Sequence, residues 1–227
     1  MRLGESGRNV PEVPKAWGNG GQLVDEYSPP QLDRFRTIDN FEALRKHGIV
    51  ELDANWNIKS VASGREMFID PRDIRFTQDW VRYKSSPDEN GRRYTLDEMG
   101  RTASATPEVL PALDVVVMPD GRLTSIDNRR LTAAQGYGAE QVKVRIRAGE
   151  DVLTTNEVRR LSWKDADGTT YFPRTWAEAI RTRIVKQGPE FNSAFRFGSP
   201  EIPRVEHSPR NTLWYQQYNT SPTVCKR

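Results

Sequence analysis

The sequence predicts an α+β fold, in which a small mixed sheet packs against a few helices. Three observations support this prediction. The segment LDVVVM (residues 113–118) is a nearly continuous run of apolar, mostly β-branched residues, which is typical of a central strand. A Pro-Asp-Gly turn follows and leads into RLTSI, the second strand of a hairpin. A short helical segment and the alternating strand QVKVRIR then complete an α+β unit.

The composition is that of a globular chain with substantial polar segments. Of the 227 residues, 36% are hydrophobic and 29% are charged, and the net charge is +3 with a sequence pI of about 9.0. This balance allows a local basic patch for nucleic acid without requiring one. No apolar run is long enough to cross a bilayer, and the first ten residues lack the apolar region of a signal peptide. The single cysteine, Cys225, cannot form an internal disulfide.

Residues 1–67 are predicted to form an irregular lead-in with one short helix and one hairpin. VPEVPKAWGNGGQ and EYSPPQ are rich in proline and glycine, which interrupt regular structure. In DNFEALRKHG, Asp39 or Asn40 is expected to cap a helix that ends at Gly48. GIVELDANWNIKSV has the pattern of two short strands around a turn.

Residues 68–150 are predicted to form the compact core. After an Asp-Pro turn, Ile74 and Phe76 alternate with polar neighbours, as in a half-buried strand. SSPDENGRRYTLDEMGRT is polar and rich in turn residues, so we expect an exposed loop there. After the hairpin, Asp127 is expected to cap a helix over NRRLTAAQG through its side chain. In QVKVRIR, the apolar residues are expected to face inward and the cations outward.

Residues 151–227 are predicted to form a C-terminal helical and irregular extension that packs on the core. EVRRLSW and TTYF are expected to pair as a hairpin, and Thr175 is expected to cap the helix TWAEAIRTRIVKQ together with Glu178. After Gly188, proline, glycine and aromatic residues indicate an ordered wrap over the core and then a loose tail. The helix is expected to bury Trp176, Ile180 and Ile184 and to leave Arg181, Arg183 and Lys186 on more exposed faces.

Two arginines, Arg129 and Arg130, occupy the first turn of the core helix. The positive end of a helix dipole disfavours a cation there by about 0.3–1 kcal/mol. The same turn presents unpaired N–H groups that attract anions, and arginine adds forked donors that match phosphate. The sequence leaves two interpretations open: the arginines bind phosphate, or they pair with Asp127 and another acid at the surface.

The segment DGRLTSIDNRRLTAAQGYG (residues 120–138) resembles the helix-opening motif of the ParB/sulfiredoxin-like superfamily. In that motif a strand runs into G-x-R-R or N-R-R, then into a small-residue helix and a strand similar to VKVRIR. IDPRDIRFTQDWV resembles the opening segment of the same fold, I-R-F-[ST]-Q. The combination is most similar to the ParB-like nuclease domains at the C-termini of bacterial polymorphic toxins. It covers residues 69–147, about a third of the chain.

The resemblance implies that Arg129 and Arg130 act at the phosphates of a nucleotide or nucleic acid. The further phosphate-binding residues that it implies are Asn128, Arg75, Thr77 and Gln78. Asp127 and Asn128 stand where the chromosome-segregation proteins of the superfamily have glycine and glutamate, which argues against a CTP switch. The motif also lacks the cysteine that sulfiredoxin chemistry requires.

Cleavage of a phosphodiester needs in-line positioning, charge neutralisation and usually a base or a metal. Arg129 and Arg130 would neutralise charge, and Asp127 is the nearest acid for a base or metal ligand, although N-capping explains it equally well. His47 and His207 are lone histidines, which are more often surface or core residues than bases. Because no motif has metal-ligand spacing, a Mg²⁺ ion would be held loosely by carboxylates and substrate phosphates.

Other residues have two interpretations each. Trp80, Tyr94 and Tyr137 could stack on bases, but such aromatic residues more often fill the core. Arg145 and Arg147 could follow a nucleic-acid backbone, with a solvated strand face as the alternative.

These features together predict a bacterial toxin domain that binds nucleic acid and cleaves it, with DNA favoured over RNA. Such a domain would be delivered by a larger protein into the cytoplasm of a target cell and neutralised in the producing cell by an immunity protein. Two alternatives stay open. One is a nucleotide-dependent phosphotransferase or ATPase on the same fold, and the other is a non-catalytic nucleic-acid-binding module.

Overall fold

The computed structural model of the protein describes residues 38–164, 167–210 and 212–215, and its fold is α+β, as the sequence predicts. Its helices are α1 (Ile38–Lys46), α2 (Leu96–Ala105), α3 (Asn128–Gly136), α4 (Thr155–Leu161), α5 (Trp176–Val185) and α6 (Pro189–Ala194). Its strands are β1 (Val50–Leu52), β2 (Ile58–Val61), β3 (Glu66–Ile69), β4 (Ile74–Phe76), β5 (Trp80–Arg82), β6 (Leu113–Val117), β7 (Leu123–Ser125), β8 (Val142–Arg147), β9 (Trp163–Lys164), β10 (Thr170–Tyr171) and β11 (Arg204–Glu206).

Five strands form the central sheet, in the order β3-β8-β6-β7-β4. β6 pairs in parallel with β8 and antiparallel with β7, and β4 runs parallel to β7 on its other side. Every residue of β6 is buried, which confirms the predicted central strand. Gly121 turns the β6–β7 hairpin with a φ of 75°, a left-handed conformation that favours glycine.

Helices cover both faces of this sheet. On one face, Val115 and Val117 of β6 share an apolar cluster with Leu131 of α3. On the other face, Val116 belongs to the cluster that contains Trp176 of α5. Because side chains alternate sides along a strand, β6 is buried from both directions. The segment after residue 150 therefore supplies one helical layer of the core.

The parallel pairing of β4 and β7 places their C-terminal ends at one edge of the sheet. α3 begins just after β7, and Thr77 and Gln78 follow β4, so these groups meet at that edge. Asp120 lies in the turn before β7 and therefore at the opposite end of that strand. This arrangement decides which of the predicted site residues come together.

Several predicted elements are confirmed. α1 buries Phe41 and Leu44, and β1 and β2 form the antiparallel hairpin expected after it. α5 begins after Thr175, whose hydroxyl accepts a hydrogen bond from the Glu178 N–H at 3.3 Å; the Glu178 carboxylate accepts from the Arg174 N–H instead of the Thr175 N–H, so the predicted capping box is only half formed. The predicted stripe of that helix is buried, namely Trp176, Ile180 and Ile184. β8 alternates buried and half-buried residues, as its sequence predicts.

The segment predicted to be an exposed loop is one only in its first half: residues 86–94 are exposed and lie outside the helices and strands, but α2 begins at Leu96, so the prediction is wrong from there on. Thr95 caps this helix in a capping box: its hydroxyl accepts from the Glu98 N–H at 3.1 Å, and the Glu98 carboxylate accepts from the Thr95 N–H at 2.7 Å. The helix has few apolar residues, but Leu96 and Ala103 are buried, and α2 packs on α3. Tertiary packing of a narrow apolar face stabilises a sequence whose local composition favours a loop.

The prediction of a strand over EVRRLSW is also wrong for most of that segment. Residues Thr155–Leu161 form α4. Thr154 and Glu157 form a second capping box at the start of this helix. The hairpin is confined to two pairs of residues in β9 and β10. The capping box satisfies N–H groups of the first turn, and burial of Leu161 anchors the other end of the helix.

Two finer predictions are corrected as well. β4 is fully buried and not half-buried, because its one polar side chain, Arg75, forms a buried ion pair with Asp120. Asp39 and Asn40 lie within the first turn of α1 and do not precede it, so neither is its N-cap.

The chain after α6 wraps over the core, as predicted. β11 pairs in parallel with β5, and the indole of Trp214 is 0% exposed against α3. The tail that carries Cys225 and most of the lead-in, residues 1–37, lie outside the described residues. Among the helices that are described, none is long and apolar enough to cross a membrane.

Candidate functional site

Three of the predicted site residues meet at the start of α3. The Asn128 side chain accepts a hydrogen bond from the Thr77 N–H at 2.7 Å, and its amide donates to Thr77 Oγ1 at 2.7 Å and to Gln78 Oε1 at 3.0 Å. Asn128 is 2% exposed. It therefore joins the end of β4 to the start of α3 and fixes the position of Gln78, while its own polar atoms are occupied by the protein.

Asp127 is the N-cap residue of α3, but its side chain makes no capping hydrogen bond, so the predicted side-chain cap is wrong. Its Oδ2 instead accepts from the Asp114 N–H at 2.9 Å and pairs with Arg130 Nη2 at 2.9 Å. The neighbouring strand and the second arginine thus hold the carboxylate away from the helix N–H groups. No side chain among the described residues caps α3, whereas threonines cap α2, α4 and α5.

Arg130 has a structural environment. Its Nη1 donates to the carbonyl of Pro111 at 2.6 Å and to that of Ala112 at 3.4 Å, and its Nη2 pairs with Asp127. These contacts tie α3 to the segment that leads into β6. Of the two interpretations of the arginine pair, surface pairing therefore describes Arg130.

Arg129 has a different environment. Its Nε is shielded from solvent and has no hydrogen-bond partner within the described part of the chain. Burial lowers the pKa of Arg129, and the positive charge of Arg82 lowers it further. Arginine nevertheless stays protonated in proteins, so a charged guanidinium is held beside an uncapped helix N-terminus without a carboxylate. Both features favour an anion at this position.

Arg75 does not join this group. It lies on β4, where its Nη2 donates to Asp120 Oδ1 at 2.9 Å and its Nε to Thr124 Oγ1 at 3.2 Å. Burial lowers the pKa of Arg75, although the Asp120 carboxylate opposes that effect. Asp120 precedes β7 and Asp127 follows it, so Arg75 is held at the far end of the strand from the start of α3.

One residue near the start of α3, Arg183, was not anticipated as a site residue. Arg183 of α5 was expected on an exposed face, but its Nη1 donates to the Ile126 carbonyl at 3.1 Å, just before α3. Burial lowers the pKa of Arg183, and the negative charge of Asp127 opposes that shift. A helix on the opposite face of the sheet thus brings a further cation to this edge, which only the folded chain reveals.

An ion-pair network lies behind the same edge. Asp114 of β6 pairs with Arg147 at 3.0 Å through Oδ1 and with Arg160 at 2.9 Å through Oδ2, and Arg147 also pairs with Glu157 at 3.1 Å. A usable signal was present in the sequence, because Asp114 is the one charged residue within LDVVVM. A carboxylate buried in a strand requires ionic or hydrogen-bonding partners.

The carboxylates at this edge do not form a set of metal ligands. Within the described residues, no group of three or more His, Cys, Asp or Glu side chains could hold a metal ion. Both Asp114 oxygens are paired with arginines, and Asp127 Oδ2 is occupied as well. These donors do not fit a protein-held Mg²⁺ ion.

The other candidates for nucleic-acid contact differ in their surroundings. Tyr137 packs in a tilted arrangement with Trp214, with ring centroids 6.3 Å apart, so the core interpretation describes it. Tyr94 is half-exposed and lies under the Arg92 guanidinium, 4.6 Å from the ring centroid. Arg145 pairs with Glu66 at 2.6 Å, and Arg147 belongs to the ion-pair network, so β8 does not present a row of unpaired cations.

Comparison of the chain with protein-family models, curated proteins and solved structures finds no match.

Proposed function

We propose that the start of α3 binds a phosphate group of nucleic acid and that the protein is a nuclease. One observation carries the proposal: Arg129 places an unpartnered, shielded Nε beside a helix N-terminus that no described side chain caps. A phosphate would accept hydrogen bonds from the guanidinium and from the first-turn N–H groups. It would also offset the repulsion between Arg129 and Arg82, because neither arginine is paired with a carboxylate within the described residues.

The chemistry that we propose uses Asp127 as a general base. Its hydrogen bond and ion pair within the described residues both involve Oδ2, which leaves Oδ1 free for water. Water held by Oδ1 attacks phosphorus, its proton passes to Asp127, and the new O–P bond forms as the bond to the leaving oxygen breaks. Solvent protonates the leaving oxygen. Arg129 and Arg183 neutralise the charge that develops on the phosphoryl oxygens.

The wider role that we propose follows from the likeness of residues 69–147 to toxin nuclease domains. The chain would be the effector part of a larger delivery protein, would act on DNA or RNA in the cytoplasm of a target cell, and would be neutralised by an immunity protein. The Pro- and Gly-rich segment before residue 38 fits a connection to such a protein.

Purified protein incubated with plasmid DNA and with total RNA, with and without Mg²⁺, tests the proposal. We expect cleavage that Arg129→Ala reduces by about 10- to 150-fold, the value of one charge-assisted contact to phosphate. Arg159→Ala is the matched control, because Arg159 is an exposed arginine on α4 and its loss changes the net charge equally. Expression in bacterial cytoplasm should arrest growth with loss of chromosomal integrity.

Each contrary outcome has a clear meaning. Intact DNA and RNA under all conditions would overturn the nuclease proposal. Salt-dependent binding without cleavage would instead support a non-catalytic binding module. Hydrolysis of nucleoside triphosphates would support the nucleotide-dependent enzyme. An Arg129→Ala variant that binds and cleaves like the wild type would overturn the phosphate site itself.

A further inference from the structure

β5 and the residue pair that follows it carry an unusual surface. Val81 and Tyr83 point inward and are buried in the cluster that also contains Trp214. The alternate residues, Trp80, Arg82 and Lys84, therefore lie on the opposite face. We name these three residues the β5 stripe. Its two cations are exposed, and its indole is partly exposed.

The β5 stripe has no structural explanation within the described residues. Trp80 is a member of none of the apolar clusters that form there. Arg82 and Lys84 form no ion pair in the same part of the chain, since neither has a carboxylate oxygen within 4.0 Å. An aromatic ring and two unpaired cations on one strand face are the components of a single-stranded nucleic-acid site.

The β5 stripe begins close to the start of α3. α3 contacts β5 directly, and the charge of Arg82 lowers the pKa of Arg129. Trp80 follows Gln78 by two residues, and Asn128 holds Gln78 at the same edge. The stripe and Arg129 thus lie side by side where β5 meets the start of α3.

We propose that a single-stranded nucleic acid lies along the β5 stripe, with one phosphate on Arg129 and a base stacked on Trp80. This inference rests on the proposed phosphate site and specifies its substrate. Alternate residues of a strand are about 6.8 Å apart, comparable with successive phosphates in an extended single strand. Only an unpaired base can place its face on an indole, because the bases of a duplex are stacked on one another.

The strand beside β5 supplies an internal test. β11 pairs with β5 so that Glu206 lies opposite Arg82 and Arg204 opposite Trp80. Arg204 is paired with Asp79 at 3.0 Å, whereas Glu206 places a negative charge beside the path. Removing that charge by Glu206→Gln should strengthen binding of a polyanion.

Fluorescence anisotropy with a labelled oligothymidylate and with a duplex of equal length, over a range of salt concentrations, tests the inference. Trp80→Ala should weaken single-strand binding by about 5- to 150-fold and leave the salt dependence unchanged. Trp80→Phe should restore most of the affinity. Arg82→Ala should lower the slope of log K against log salt by about 0.7 for the single strand.

Controls separate the stripe from a general loss of fold or charge. Phe172→Ala removes an aromatic side chain that is 57% exposed and distant in sequence from β5, and it should bind like the wild type. Circular dichroism and thermal unfolding should show that the Trp80 variants are folded.

Two results would overturn the inference, and a third would overturn the proposed function on which it rests. If Trp80→Ala and Arg82→Ala both bind the single strand normally while Arg129→Ala does not, the nucleic acid does not lie along the β5 stripe. The proposed phosphate site at Arg129 is then still supported. If Trp80→Ala weakens single-strand and duplex binding equally, the proposal that an unpaired base stacks on Trp80 is wrong. If Arg129→Ala has no effect on either probe, the proposed function itself fails.

Discussion

Replacing Gly136 by alanine should destabilise the protein, even though alanine is the better helix former. Gly136 is the last residue of α3, and Trp214 of the C-terminal segment packs directly on it. A Cβ added at Gly136 would lie 2.0 Å from Trp214 Cη2 and 2.6 Å from Cζ3. Since the indole is 0% exposed, it has no room to adjust and must leave its site.

Two opposing effects set the size of the change in the free energy of unfolding. Alanine in place of glycine within a helix stabilises by about 1 kcal/mol. Loss of a buried tryptophan from its site costs about 3–5 kcal/mol, and the displaced indole of Trp214 also loses the 3.0 Å hydrogen bond from its Nε1 to Asp97. We therefore expect Gly136→Ala to lower the free energy of unfolding by about 2–4 kcal/mol.

Urea denaturation followed by circular dichroism measures this change. The control compares the Trp214→Ala variant with the double variant Trp214→Ala/Gly136→Ala. Without the indole, the added methyl group meets no obstacle. In that background the alanine should be neutral or stabilising. A Gly136→Ala protein as stable as the wild type, or an equal loss in both backgrounds, would refute the packing argument.

Three further predictions concern the site and the core. Arg75→Met leaves the buried Asp120 carboxylate unpaired and should cost about 3–5 kcal/mol in urea denaturation, a loss that adding Asp120→Asn should largely reverse; a loss below about 1 kcal/mol would contradict the ion pair. Asp127→Asn should slow DNA cleavage by about 10²- to 10⁴-fold while DNA binding persists, and unchanged cleavage would exclude Asp127 as the base. Burial and the Asp97 carboxylate raise the pKa of Tyr137 to about 12 from 10.0, so the folded state holds the phenolic proton more tightly. That stabilisation is present below pH 10 and is lost as the pH rises towards 12, and urea denaturation across this range should show a smaller loss for Tyr137→Phe.

The sequence was sufficient for elements whose patterns are local. The β-branched run predicts the buried strand β6, the Pro-Asp-Gly sequence predicts the turn after it, and the alternation predicts the half-buried strand β8. α2 and α4 were missed, although Thr95 with Glu98 and Thr154 with Glu157 have capping-box spacing that the sequence shows. Their few apolar residues gave no clear helical periodicity, and their stability depends on the neighbours that they bury against.

The sequence also placed Arg129 and Arg130 at the start of a helix, because a strand, a possible cap and a small-residue helix follow one another there. It did not distinguish the two arginines. The carbonyls of Pro111 and Ala112 accept hydrogen bonds from Arg130, while Arg129 is close enough to Arg82 for the two charges to interact and pairs with no acid in the described part of the chain. Only the tertiary structure shows which of the two guanidinium groups has partners within the protein, because the neighbours of each group come from segments distant in the chain.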